Sequence, residues 1–239
     1  MHILKNPPPG EGKETMPNIQ RRNFLKYLGM GATLVTTASL AAGCSKDDNN
    51  GGMGKNGVSL GSGDVAVLNY AYALEQLEAA FYTQVVLSPY AGISDTELDF
   101  FKDIRNHEIG HREFFKAALS TNAIAGLEVD FSSIDFTKRD NVLATAKAFE
   151  DLGVSAYNGA GQYISSSATG LVYLGLAGKI VSVEARHAAY IRDLIEPGSF
   201  AGSDVVDANG LDKTRTPIEV FTIAKTYIKT SIDTTTLPK

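Results

Sequence analysis

The chain has 239 residues, 44% hydrophobic and 21% charged, which excludes a generally disordered polymer and suits one folded domain with a sizeable core. Its formal net charge is −5 and it holds a single cysteine, so an internal disulfide is excluded and charge disfavours a nucleic-acid partner.

Residues 1–44 read as an export leader outside the fold. Basic Arg21, Arg22 and Lys26 precede an uncharged apolar run from Tyr27 to Ala42, and small residues lead to Cys44. The run is too short to span a bilayer, which takes about 20 apolar residues. Arg21-Arg22 followed by Phe24-Leu25-Lys26 resembles a twin-arginine export signal. The ending resembles a lipoprotein signal, whose cysteine becomes the lipid-bearing first residue; here Ala41 stands where leucine is usual, with Leu40 one place earlier. Residues 45–63 are polar and glycine-rich and read as a flexible tether; Ser45-Lys46-Asp47-Asp48 is also similar to a surface-export tag of some bacterial lipoproteins. Without the leader, 17 basic and 25 acidic residues remain, a net charge of −8. The expectation is an exported protein on the periplasmic or outer side of a bacterial membrane. It would touch the membrane through lipid on Cys44 and have no nucleic-acid partner.

Helical periodicity predicts an all-α bundle over residues 64–197, followed by a C-terminal extension, residues 198–239, with one short helix. The first helix is expected over 64–87, stopped by Pro89. The second is expected over 95–120, with Ser94 and Glu97 as a capping box. The third spans 141–165 with Asp140 as its cap, and the fourth spans 170–196, stopped by Pro197-Gly198. A shorter helix fits 217–230, with Thr216 as cap and Pro217 in the first turn. The first and last inter-helix turns are short, whereas residues 121–140, with Phe131, Ile134 and Phe136, are long enough to cross the bundle.

One seam of each long helix is apolar at both ends and acidic in the middle. The first carries Leu68, Ala71, Glu75, Glu78, Tyr82 and Val85; the second Phe101, Ile104, Glu108, His111, Phe115 and Ala118. The third carries Leu143, Ala146, Glu150, Gly153, Tyr157 and Ile164; the fourth Ala177, Ile180, Glu184, His187, Ile191 and Leu194. Three- and four-residue spacings put each set on one helical face. Carboxylates converging in an apolar core repel each other and lose hydration, and no lysine or arginine lies on these seams to offset them. Four glutamates are balanced by two divalent cations, with neutral His111 and His187 as nitrogen ligands.

The pattern repeats. Glu75-x6-Tyr82 returns as Glu150-x6-Tyr157, and Glu108-x-x-His111 returns as Glu184-x-x-His187, as expected of two helical hairpins related by a pseudo-twofold axis. Glu78 has no counterpart, because the repeat places Gly153 there; Glu75 is therefore the preferred ligand and Glu78 the runner-up. His107 lies off the seam and is expected to face solvent. Tyr82 and Tyr157 are open to two readings, core aromatics or hydrogen-bond donors to the ligand carboxylates.

Leu74-Glu75-Gln76-Leu77-Glu78-Ala79-Ala80-Phe81-Tyr82, with the two Glu-x-x-His motifs, resembles the ferritin-like di-iron carboxylate superfamily, specifically its exported, desiccation-related bacterial members. The resemblance covers about residues 64–196 and implies a ferritin-like four-helix bundle with a long crossover between its second and third helices. It implies Glu75 and Glu150 as terminal metal ligands, Glu108 and Glu184 as bridges, and His111 and His187 on one ion each. It further implies redox chemistry at two ions, iron ahead of manganese, with oxygen or peroxide as oxidant. The alternative is a non-catalytic lipoprotein stapled by its metals and binding a protein partner. An iron-storage cage ranks third, because a lipid anchor and tether on every subunit suit a closed shell poorly.

Overall fold

The computed structural model describes residues 57–239 and, upstream, the backbone of one short strand, Met53–Gly54. The expected leader, the lipid site at Cys44 and most of the expected tether lie outside the described residues.

Four long helices form the bundle: α1 (Gly63–Leu87), α2 (Asp95–Leu119), α3 (Arg139–Ala160) and α4 (Ala168–Ile195). Helix α1 is the most enclosed, with a buried run from Ala66 to Ala79. Asp64 at its start accepts hydrogen bonds from the backbone N–H and hydroxyl of Ser165, both 2.7 Å, so α1 and α4 begin at the same end of the bundle. The second helix arrives at that end, and Asn69 there donates to Asn122 O and accepts from Ile124 N–H just beyond it. At the other end Arg139, the first residue of α3, donates through Nε to Glu97 at 3.0 Å and through a terminal nitrogen to Leu194 O at 3.3 Å. Residues 123–138 join those two ends. Phe131 and Phe136 of this segment meet Phe81 of α1 at centroid distances of 6.0 and 5.8 Å, anchoring the connection to the core.

Several helix ends differ from the sequence expectation for identifiable reasons. Ser94 accepts from Glu97 N–H as expected, but the Glu97 carboxylate turns to Arg139, so only half of the capping box forms. Helix α3 starts earlier, capped at Lys138, which leaves Asp140 in the first turn, where its charge still favours the helix N-terminus. The same helix stops at Ala160 and tightens into a single turn, Gly161–Tyr163, so Ile164 falls beyond it. Two glycines flank Ala160 and lower helix propensity there. Gly159 also has to be glycine, since a Cβ would lie 1.8 Å from Arg215 O. The fifth helix, α5, is Pro217–Ala224, with a complete capping box between Thr216 and Glu219. It stops short of the expected 230 because the chain then runs alongside residues 128–130: Asp130 N–H donates to Tyr227 O and Lys229 N–H to Glu128 O, each 2.8 Å.

The tether is also shorter than its composition suggests. Met53–Gly54 (β1) pairs antiparallel with Gly57–Val58 (β2). Val58 N–H donates to Ser231 O at 2.8 Å, and Leu60 is fully buried. Gly57 has a φ of 115°, and a Cβ there would lie 2.5 Å from Ser231 O, so the position demands glycine. The last tether residues are thus clamped against the C-terminal segment.

Candidate metal centre

Midway along the bundle each helix turns its acidic positions inward. Helix α1 supplies Glu75, α2 supplies Glu108 and His111, α3 supplies Glu150, and α4 supplies Glu184 and His187. All four glutamates are 0% exposed. Buried Phe101, Ile104, Phe115, Leu143, Ala146, Ile180 and Ile191 from the same seams pack on either side and keep water out.

All six candidate ligands come together. His111 Nδ1 lies 2.8 Å from Glu184 Oε1 and 3.4 Å from both Glu75 Oε2 and Glu108 Oε2. His187 Nδ1 lies 2.9 Å from Glu108 Oε1, 3.4 Å from Glu150 Oε2 and 3.7 Å from Glu184 Oε2. Two overlapping groups result, each with its ligand atoms within 4.8 Å of one another: Glu75, Glu108, His111 and Glu184, then Glu108, Glu150, Glu184 and His187. Glu108 and Glu184 belong to both and therefore stand between two positions.

The two tyrosines cross between hairpins. Tyr82 of α1 donates to Glu150 Oε1 of α3 at 2.5 Å, and Tyr157 of α3 donates to Glu75 Oε1 of α1. Each bond fixes one oxygen of a carboxylate and leaves the other aimed at the centre. This settles the two readings of Tyr82 and Tyr157 in favour of the hydrogen-bond donors.

Burial acts on every group here. It pushes Glu75 and Glu108 above the usual carboxylate range, with the Glu184 charge adding to the effect. It pushes Glu150 up to about 7, against the pull of His187. Burial would also raise Glu184, but its interactions with His111 and His187 outweigh that and hold it at about 2. Burial disfavours a charged imidazole, yet the surrounding carboxylates raise His111 to about 12 and also raise His187. In the absence of a cation, the cluster retains protons as its substitute for positive charge.

The donor set fits metal ions on a direct test. Glu75 Oε2, both oxygens of Glu108, Glu150 Oε2 and both oxygens of Glu184 are buried together with the Nδ1 atoms of His111 and His187, so six carboxylate oxygens have at most two imidazole donors among them, at 2.8 Å from Glu184 Oε1 and 2.9 Å from Glu108 Oε1. Buried acceptors left unpaired are costly, and here they all face the same space. Hard carboxylate oxygens with one imidazole per position suit iron or manganese.

Glu78 is buried and joins neither group. It occupies the room that Gly153 provides on α3: a Cβ at 153 would lie 3.0 Å from Glu78 Oε1. Burial and the four neighbouring carboxylates hold Glu78 well above the usual carboxylate range.

His107 corrects an expectation. The residue is exposed as foreseen, but its Nδ1 lies 2.9 Å from His187 Nε2. Burial, then the neighbouring His187 and His111, lower its pKa. The off-seam position concealed this contact, because helical spacing on α2 says nothing about which residue of α4 lies opposite.

Arg192 of α4 is 3% exposed and clasps Asp151 at 2.8 Å and Asp204 at 2.5 Å, tying the C-terminal segment to α3 behind the centre. The arginine was not foreseen, since its partners are distant in sequence.

No curated protein matches the chain. The model of one family, described as Ferritin-like domain, matches residues 63–197, the four helices that carry the cluster and more than half of the chain. The buried glutamate–histidine groups lie within that match, and the chain belongs to the ferritin-like domain family.

Proposed function

We propose that the cluster holds two divalent ions, iron in preference to manganese, and supports redox chemistry with oxygen or peroxide as the oxidant. The observation that carries this reading is the surplus of buried carboxylate oxygens over donors, six against two Nδ1 atoms, around two positions that share Glu108 and Glu184. When bound, a pair of such ions supplies one-electron steps at adjacent centres. The protein's part is to place them. His111 and His187 each offer one nitrogen, and Glu75 and Glu150 are held in orientation by Tyr157 and Tyr82. Apolar layers exclude water, which strengthens every electrostatic interaction within.

The same proposal places the protein outside the cytoplasm, anchored by lipid on Cys44. Support comes from the leader sequence and from the acidic remainder of the chain. A twin-arginine route suits a site loaded before export.

The test is elemental analysis of the purified protein, followed by exposure of the iron-loaded form to oxygen and to peroxide. The expected result is two metals per chain and absorbance changes linked to turnover. Changing His111→Ala together with His187→Ala should abolish stoichiometric binding, because each ion loses its only nitrogen ligand. Two metals still bound in that variant would refute the assignment. A fully loaded but inert site would leave the metals as a structural staple in a partner-binding lipoprotein.

A further inference from the structure

The internal repeat that pairs Glu108 with Glu184 and His111 with His187 pairs His107 with Val183. An imidazole on one side thus corresponds to an aliphatic side chain on the other. The consequence falls on the two ligand histidines.

His187 presents Nδ1 to the carboxylates and Nε2 to His107 Nδ1, 2.9 Å away. The two rings are tilted by only 5° with centroids 5.1 Å apart. That separation is one hydrogen bond plus a ring radius at each end, so the rings meet edge to edge in one plane rather than face to face. This is the geometry of a nitrogen–hydrogen–nitrogen bond. For Nδ1 of His187 to offer its lone pair to a metal, the proton of the neutral ring must sit on Nε2. His107 Nδ1 accepts that proton's hydrogen bond, which fixes both the tautomer and the ring plane. His111 has no equivalent: among the described residues, none hydrogen-bonds its outer nitrogen. His111 is also more open, with its side chain 14% exposed against 5% for His187.

Resting on the reading that two divalent ions occupy the cluster, we propose that His107 is a positioning residue for His187 that makes the two metal positions unequal. The position built on Glu108, Glu150, Glu184 and His187 fills first. The position built on Glu75, Glu108, Glu184 and His111 fills second and exchanges more readily. Both positions have three carboxylates and one imidazole, so ligand count alone does not separate them.

The experiment is calorimetric titration of the full-length, metal-free protein with Mn²⁺. The wild type should show two binding steps, separated by about 10- to 100-fold, the range that outer hydrogen-bond partners of metal ligands command. His107→Phe should weaken the tighter step by about that factor and bring the two together, whereas His107→Gln, whose side-chain oxygen can accept from Nε2–H, should restore the separation. Val183→His should tighten the weaker step by giving His111 the partner it lacks. This arm keeps the proposal testable if His107→Phe folds poorly. One affinity class in the wild type would overturn the inference. So would two steps that His107→Phe leaves unchanged or weakens equally. Absence of any binding is a different result: it would refute the metal reading itself.

Discussion

Removing the Tyr82 hydroxyl tests the centre with a single oxygen atom. Both Tyr82 and Glu150 are 0% exposed, and Glu150 Oε1 accepts from Tyr82 at 2.5 Å. In Tyr82→Phe the ring still fills its place against Phe81 and Phe101, so packing is kept. Glu150 Oε1 is then left without a donor. With a metal bound, Glu150 is ionised, and a hydrogen bond to a charged group contributes about 2 kcal/mol. Without metal, burial pushes the Glu150 pKa to about 7, so near neutral pH it is substantially protonated and the same bond contributes less, about 1 kcal/mol. For a folded unit of this size 1 kcal/mol corresponds to about 2–4 °C in Tm. The loaded form should therefore lose about 4–8 °C and the metal-free form about 2–4 °C. The difference, about 1 kcal/mol, weakens metal binding by about fivefold, just below the range typical of an outer partner. Thermal unfolding of both forms, with calorimetric titration of Mn²⁺, reads all three numbers. An equal drop in both forms with unchanged affinity would refute the reasoning and leave Tyr82 as a core aromatic.

Glu75→Ala should remove stoichiometric binding at the His111 position, whereas Glu78→Ala should leave two metals per chain; elemental analysis showing the reverse order would mean that the wrong glutamate of α1 was chosen. Metal affinity should rise with pH. The carboxylates raise His111 to about 12 and also raise His187, so both imidazoles are protonated in the metal-free protein at neutral pH, and each incoming ion must displace a proton. Titrations in buffers of different ionisation heat should report at least two protons released for two ions bound, with Glu150 and the other raised carboxyls adding to the two from the imidazoles; release close to zero would show that the imidazoles are already neutral.

The bundle and the six residues that meet at its centre were legible because both follow from local periodicity. Spacings of three and four place Glu108 and His111 on one face of α2, and the apolar residues on either side of them turn that face inward. The pseudo-twofold repeat was legible for the same reason. What local spacing does not encode is which residues of different helices come into register. His107 was expected only to face solvent, and its contact with His187 was missed because the two lie 80 residues apart. The Glu97 carboxylate was assigned to Ser94 because a capping box is local, while its actual partner, Arg139, arrives from the next helix. The end of the tether was hidden by its glycines, which read as flexible although Gly57 is required for the close approach to Ser231. The stop of α5 at Ala224 likewise depends on residues 128–130, which supply extended-chain partners from elsewhere.

The ligand sets divide unevenly between the two halves of the chain. The first hairpin brings Glu75, Glu108 and His111 to one position but needs Glu184 from the second to complete it; the second brings Glu150, Glu184 and His187 and needs Glu108 from the first. Each hairpin's terminal carboxylate is also oriented by a tyrosine from the opposite hairpin. On the proposed two-ion reading, each set of four is complete only once both halves have docked, and each bound ion would act as a rivet through their shared face. In the stripped protein the weakest plane runs between α1–α2 and α3–α4, where the His111–Glu184 and His187–Glu108 pairs and the two tyrosine hydrogen bonds are the polar links left at the centre. Hydrogen exchange should accelerate first along that plane, while the interior of each hairpin stays protected.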